Sequence, residues 1–184
     1  MKLDFLLARH WADPTDLVVT SENREKKMNW IFWALFLAAI LHVVEEYRFD
    51  WIGRVGRISP WVTPAAFFAI NALFLSGMAA GAWVGTRCFT FSLSMAALVF
   101  INVWFHVAPS LYFRSYFPGL FTALFLYLPL SLYAYDRAVR EYGVGVGIIL
   151  YSILLGAVWM SVPLFYQLFK RLTAKRPDAG IGKS

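Results

Sequence analysis

Five apolar stretches, at roughly residues 29–47, 63–85, 89–109, 117–135 and 144–169, take up most of this chain and leave it few ways to fold. Each is near the length of about 20 residues that an α-helix needs to cross a hydrocarbon layer. A helix bonds its own backbone groups internally, which hydrocarbon demands of anything that spans it. The expectation is therefore all-α: a polytopic membrane helix bundle of five transmembrane helices over residues 29–169. The composition agrees, since 60% of the 184 residues are hydrophobic and 15% are charged, whereas a soluble domain carries about a quarter charged. Residues 1–28 read as an N-terminal segment with an interfacial helix, and residues 170–184 as a disordered basic tail. The expected location is multi-pass in a membrane, the cell membrane, with the lipid bilayer as partner.

The punctuation fits this layout. Trp30, Trp33, Trp51, Trp61 and Trp83 lie near the ends of stretches, where an aromatic belt would sit. Thr63-Pro64 reads as a cap followed by proline at the first helical position. Pro129 and Pro163 fall inside stretches and predict kinks. GVGVG, residues 143–147, opens an apolar stretch with no lysine nearby, so it reads as close helix packing and not as a phosphate loop. The net charge of +6 does not point to nucleic acid, because most Lys and Arg lie outside or at the ends of the apolar runs. They divide almost evenly between the two faces of a five-span bundle, so orientation stays open. A single cysteine, Cys88, excludes an internal disulfide and a cysteine-based metal cluster.

Against this background a few residues are out of place. An ionisable side chain at the centre of a span costs about 2.5 kcal/mol or more, so it normally has a partner or a task. The first stretch ends in LHVVEEYR, where His42 and Glu46 are one helical turn apart and Glu45 is their neighbour. The third contains NVWFH, with Asn102 and His106 again four apart, and the second contributes Asn71. Alternating helix directions bring all six within roughly 2–12 Å of one face at 1.5 Å per residue. The fourth stretch begins on that face with SYFPGLFT. Tyr116, Gly119 and Thr122 thus sit at a helix N-terminus, whose free N–H groups favour anions. Arg48 and Arg114 flank it, either as anchors in the headgroup layer or as contacts to an anionic group.

HVVEE (42–46), NVWFH (102–106) and YFPGLFT (116–122) together resemble the HxxEE, NxxxH and YxPGxxT patterns of the HXXEE membrane proteins. The resemblance runs from residue 29 to about 135. It departs at residue 117, which is Phe here where Asn is common in that family. It implies an enzyme with a site at these motifs, although the family's name describes a motif and not a reaction.

Three chemistries suit such a set. In the first, His42, His106 and Glu46 bind a divalent metal, zinc or iron, for a hydrolase or an oxidoreductase. Glu45, Asn71, Asn102 and Tyr116 then act as base or charge-stabilising groups, and Arg48, Arg114, Gly119 and Thr122 contact a hydrophobic or lipid-like substrate. In the second, a buried glutamate and histidine perform metal-free acid–base isomerisation or hydrolysis. The third is not enzymatic: an ion or proton pathway, or lipid binding or transport.

Overall fold

The structure, a computed structural model, describes residues 14–173, with side chains from Met28 onward. The start of the expected interfacial segment and most of the expected basic tail lie outside the described residues. Those described are all-α, with no strand among them. The helices are α1 (Pro14–Arg48), α2 (Trp51–Gly56), α3 (Pro64–Val84), α4 (Phe89–Tyr112), α5 (Leu120–Thr122), α6 (Leu128–Tyr142) and α7 (Val146–Thr173).

Three stretches are long and apolar enough to cross a membrane: Met28–Arg48, Pro64–Tyr112 and Val146–Thr173. The middle one folds as two helices, α3 and α4, joined by a 3-10 turn at Gly85–Cys88. The fourth expected span does not reach that standard. Its helical run starts with the three residues of α5, passes through a π turn at Ala123–Tyr127 and continues as α6. The last two turns of α6 carry Asp136, Arg137, Arg140 and Glu141, which pair within the helix as Asp136–Arg140 and Arg137–Glu141.

Local chemistry explains the breaks. Asp50 adopts a left-handed conformation after α1, and its carboxylate accepts the Gly53 N–H at 3.0 Å to start α2. Thr63 caps α3 by accepting from the Ala66 N–H, with Pro64 in the first turn. Gly85, at φ +52, turns the chain from α3 into α4, and Ser92 Oγ lies 2.8 Å from both the Gly81 and Gly85 carbonyl oxygens. Pro129 has no N–H to offer the carbonyl four residues back. The turn just before it is widened, and the Leu128 N–H reaches the Ala123 carbonyl five residues back.

α4 is the central helix, packed along α7 and against α6, while α1 packs along α3. The core runs through Ile31, Leu35, Leu93, Ala96 and Met78. The GVGVG glycines do not serve the close packing expected of them. Gly143 caps α6 in a left-handed conformation, and Gly145 and Gly147 face open space. The close approach is at Gly156 of α7, where an added Cβ would lie 2.5 Å from Ala97 Cβ and 2.9 Å from the Leu98 nitrogen. α7 buries Ser152, Gly156 and Met160, and it exposes Leu150, Leu154, Phe165 and Leu168.

Candidate metal centre

α1 and α4 each bring one imidazole to the same point. His42 and His106 are 3% and 1% exposed, and their ring centroids lie 4.7 Å apart, edge to face. Glu46, one turn after His42, places Oε1 at 3.6 Å from His42 Nε2 and 3.5 Å from His106 Nε2. The three ligand atoms lie within 4.8 Å of one another.

The outer nitrogens are already assigned. His106 Nδ1 lies 2.7 Å from the Pro118 carbonyl oxygen, which only accepts, so Nδ1 carries the proton and Nε2 is bare. His42 Nδ1 lies 2.7 Å from Thr122 Oγ1. That hydroxyl donates to the Gly119 carbonyl at 3.3 Å, which leaves its oxygen to accept from His42. His42 Nε2 is buried and has no hydrogen-bond partner among the described residues. Two lone pairs and a carboxylate oxygen thus converge with no donor between them, an arrangement that is costly unless a cation joins them. The spacing suits one. Zn–N bonds of about 2.0–2.1 Å at a tetrahedral centre put neighbouring ligand atoms about 3.4 Å apart. Carbonyl and hydroxyl groups holding the outer nitrogens are the usual support of histidine ligands.

Glu45 faces elsewhere. Its Oε1 accepts from the Tyr116 hydroxyl at 2.5 Å and from the Phe121 N–H at 3.0 Å, and its Oε2 from the Thr122 N–H at 2.7 Å. The helix N-terminus expected to attract an anionic ligand is capped by this carboxylate of the chain itself. Burial and the Glu45 carboxylate push the Tyr116 phenol well above its usual range, so it remains a donor.

Gly119 and Thr122, expected at a substrate, stand against the histidines. Gly119 has φ +92, and a Cβ there would lie 2.5 Å from His106 Cε1 and 2.8 Å from His42 Cε1. Thr122 serves His42 through its hydroxyl and Glu45 through its N–H. Asn71 donates to the Phe67 carbonyl in its own helix at 3.0 Å. Asn102 Nδ2 lies 4.0 Å from Met160 Sδ, and its buried Oδ1 has no partner among the described residues. Arg48 and Arg114 are exposed and line none of the cavities described below.

Two apolar cavities open onto the cluster. One, of about 90 Å³, has His42, Glu46, Asn71, Asn102 and Tyr127 among its lining residues. The other, of about 230 Å³, is lined by Glu46, Asn102 and His106 together with Phe105, Phe113, Phe117 and Leu164. Glu46, Trp51, Asn102, Met160 and Pro163 line both.

Two participants were not singled out from the sequence. Tyr127, 4% exposed, lays its ring on His42 with centroids 4.5 Å apart. It sits in an aromatic-rich run that carries no polar signal. Arg54 reaches back from α2 to donate to the Tyr116 carbonyl at 2.6 Å. The six-residue helix that positions it is too short to register in hydropathy.

Comparison with known proteins agrees with where the cluster lies. A family model described as a protein of unknown function with an HXXEE motif matches residues 33–134, which span every residue of the cluster. No curated protein and no solved structure matches the chain.

Proposed function

Since the chain belongs to the HXXEE-motif family, a membership that brings a motif and no reaction with it, we propose an integral membrane enzyme in which His42, Glu46 and His106 hold a divalent metal ion, zinc or iron. The observation that carries this reading is the approach of both Nε2 atoms to one carboxylate oxygen, with His42 Nε2 buried and without a hydrogen-bond partner among the described residues. Two histidines and one carboxylate are the ligand set of catalytic zinc and of non-haem iron sites, both of which keep open positions. Such an ion supplies a Lewis acid for a hydrolase, or a redox centre for an oxidoreductase. The two adjoining cavities favour a hydrophobic or lipid-like substrate. We place the protein in the bilayer with five crossings, α3 and α4 spanning separately and the run from α5 through α6 forming the fourth.

Glu45 is part of the scaffold in this reading, because its oxygens are engaged by three donors. Glu46 is the carboxylate that faces the cavities. Tyr127 and Asn102 are placed to touch a molecule bound beside it.

Elemental analysis of protein purified without chelators tests the proposal. The expected result is about one zinc or iron per chain for the wild type, falling at least tenfold in His42→Ala, His106→Ala and Glu46→Gln. Zinc would direct the search to hydrolysis, and iron to oxidation. Wild-type protein that takes up neither metal on reconstitution would return the site to metal-free acid–base chemistry by Glu46.

A further inference from the structure

Beside the cluster, α2 and the residues just after it form a basic groove with the segment that follows α4. It has a volume of about 540 Å³ and is lined by Arg54, Arg57, Ile58, Phe113, Ser115 and Phe117, with no acidic residue among them. Ile58, Phe113 and Phe117 also line the larger cavity, which reaches Glu46 and His106. Groove and cavity therefore share a wall, with cations at one end and the proposed metal ligands at the other.

We infer that Arg54 and Arg57 receive the anionic headgroup of an amphiphile whose apolar chain passes Ile58, Phe113 and Phe117 to reach the triad. This assignment rests on the metal-enzyme reading and gives it a substrate class: a phosphate or similar oxyanion on a long hydrocarbon chain.

The two arginines are held unlike simple anchors. Arg54 is partly buried, and its Nη1 is fixed on the Tyr116 carbonyl, while the rest of the guanidinium fork has no partner among the described residues. Arg57 donates Nε to the Gly53 carbonyl at 3.3 Å, and its two terminal nitrogens have no partner among the described residues. Planar forks at the mouth of an apolar cavity suit the bidentate capture of an oxyanion. Arg48 and Arg114, exposed and outside the groove, fit the anchoring role instead. The division matches an amphiphile lying along the membrane boundary, its head in the polar layer and its chain in the protein.

Binding of labelled dodecyl phosphate to the full chain in phosphatidylcholine nanodiscs provides the test. Arg57→Gln, a change at an exposed side chain, should weaken binding about tenfold, and Arg54→Gln by at least as much. Arg54→Lys, which keeps the cation and loses the planar fork, should recover only part of it. Dodecanol should compete about tenfold less well than unlabelled dodecyl phosphate, and inorganic phosphate less well still. Equal competition by dodecanol, equal competition by inorganic phosphate, or unchanged binding in Arg57→Gln would each overturn the assignment. Metal content measured on the same preparations separates the two readings. Arginine-dependent binding to metal-free wild type sinks the metal centre and leaves the headgroup site. Metal-loaded protein indifferent to the arginines does the reverse.

Discussion

Glu45 and Glu46 are chemically the same and adjacent, yet the fold gives them unrelated work. Successive residues on a helix point about 100° apart, so one carboxylate of the pair faces the cavities and the other faces the N-terminal turn of α5. The sequence makes the cluster legible as residue types at one depth, because the four-residue spacing in HVVEE and NVWFH is a helical face. It does not assign the partners, since Pro118, Thr122 and Tyr116 meet α1 and α4 only through tertiary contact. The different roles lead to different outcomes. Glu45→Gln replaces an acceptor of three hydrogen bonds with a group that is half donor, and should lower stability by about 2 kcal/mol, with metal content unchanged. Glu46→Gln should instead lose the metal, and with it the stability that the bound ion lends the wild type. Thr122→Val removes the oxygen that holds His42 Nδ1 and should weaken metal affinity about 10–100-fold, while its N–H still caps onto Glu45. Competition with a chelator of known affinity would measure the last effect, and a Thr122→Val protein with wild-type affinity would refute the tautomer assignment.

At the level of elements, the apolar runs announce α1, α3, α4 and α7, because length and hydropathy are sums over many residues. The remaining pieces depend on one or two residues each and are harder to foresee. The fourth expected span loses its regularity around Pro129, and its helix runs past the expected end into charged turns, so a sum over the window does not describe it. Glycine function proved equally local. GVGVG and Gly156 look alike as small residues in an apolar helix, but only Gly156 meets a neighbouring backbone. Its substitution tests whether α7 is a wall of the cavities or part of the metal centre. Gly156→Leu should force α7 away from α4 and cost about 3 kcal/mol, read as a lower melting temperature in detergent. The proposed metal ligands come from α1 and α4, so metal content in the protein that remains folded should hold. Dodecyl phosphate binding should fall, because Met160, Pro163 and Leu164 of α7 line the cavities.

Taken whole, the described residues bury small polar side chains beside an apolar core and expose large apolar ones. Ser92, Ser94, Ser131 and Ser152 are fully buried, while Trp83, Leu111, Val146 and Leu172 are at least 70% exposed. Apolar surface on this scale marks a face made for another apolar phase, and serines and glycines inside are how helices pack closely within one. The proposed five-crossing arrangement fits that polarity, and it adds an expectation that the three apolar stretches alone do not. In that arrangement Pro64–Tyr112 crosses twice, with the turn at Gly85–Cys88 on the face opposite the proposed metal centre. Cys88 is exposed in that turn and is the chain's single cysteine, while Arg57 is exposed before α3 begins. One reporter therefore lies at each end of α3. In sealed vesicles of known orientation, a membrane-impermeant maleimide should label native Cys88 from one side only. The same reagent should label the Cys88→Ser, Arg57→Cys protein from the other side only, with both positions reacting once the vesicles are lysed. Labelling of both from the same side would mean that α3 does not cross, and the metal centre would then lose its proposed place within the bilayer.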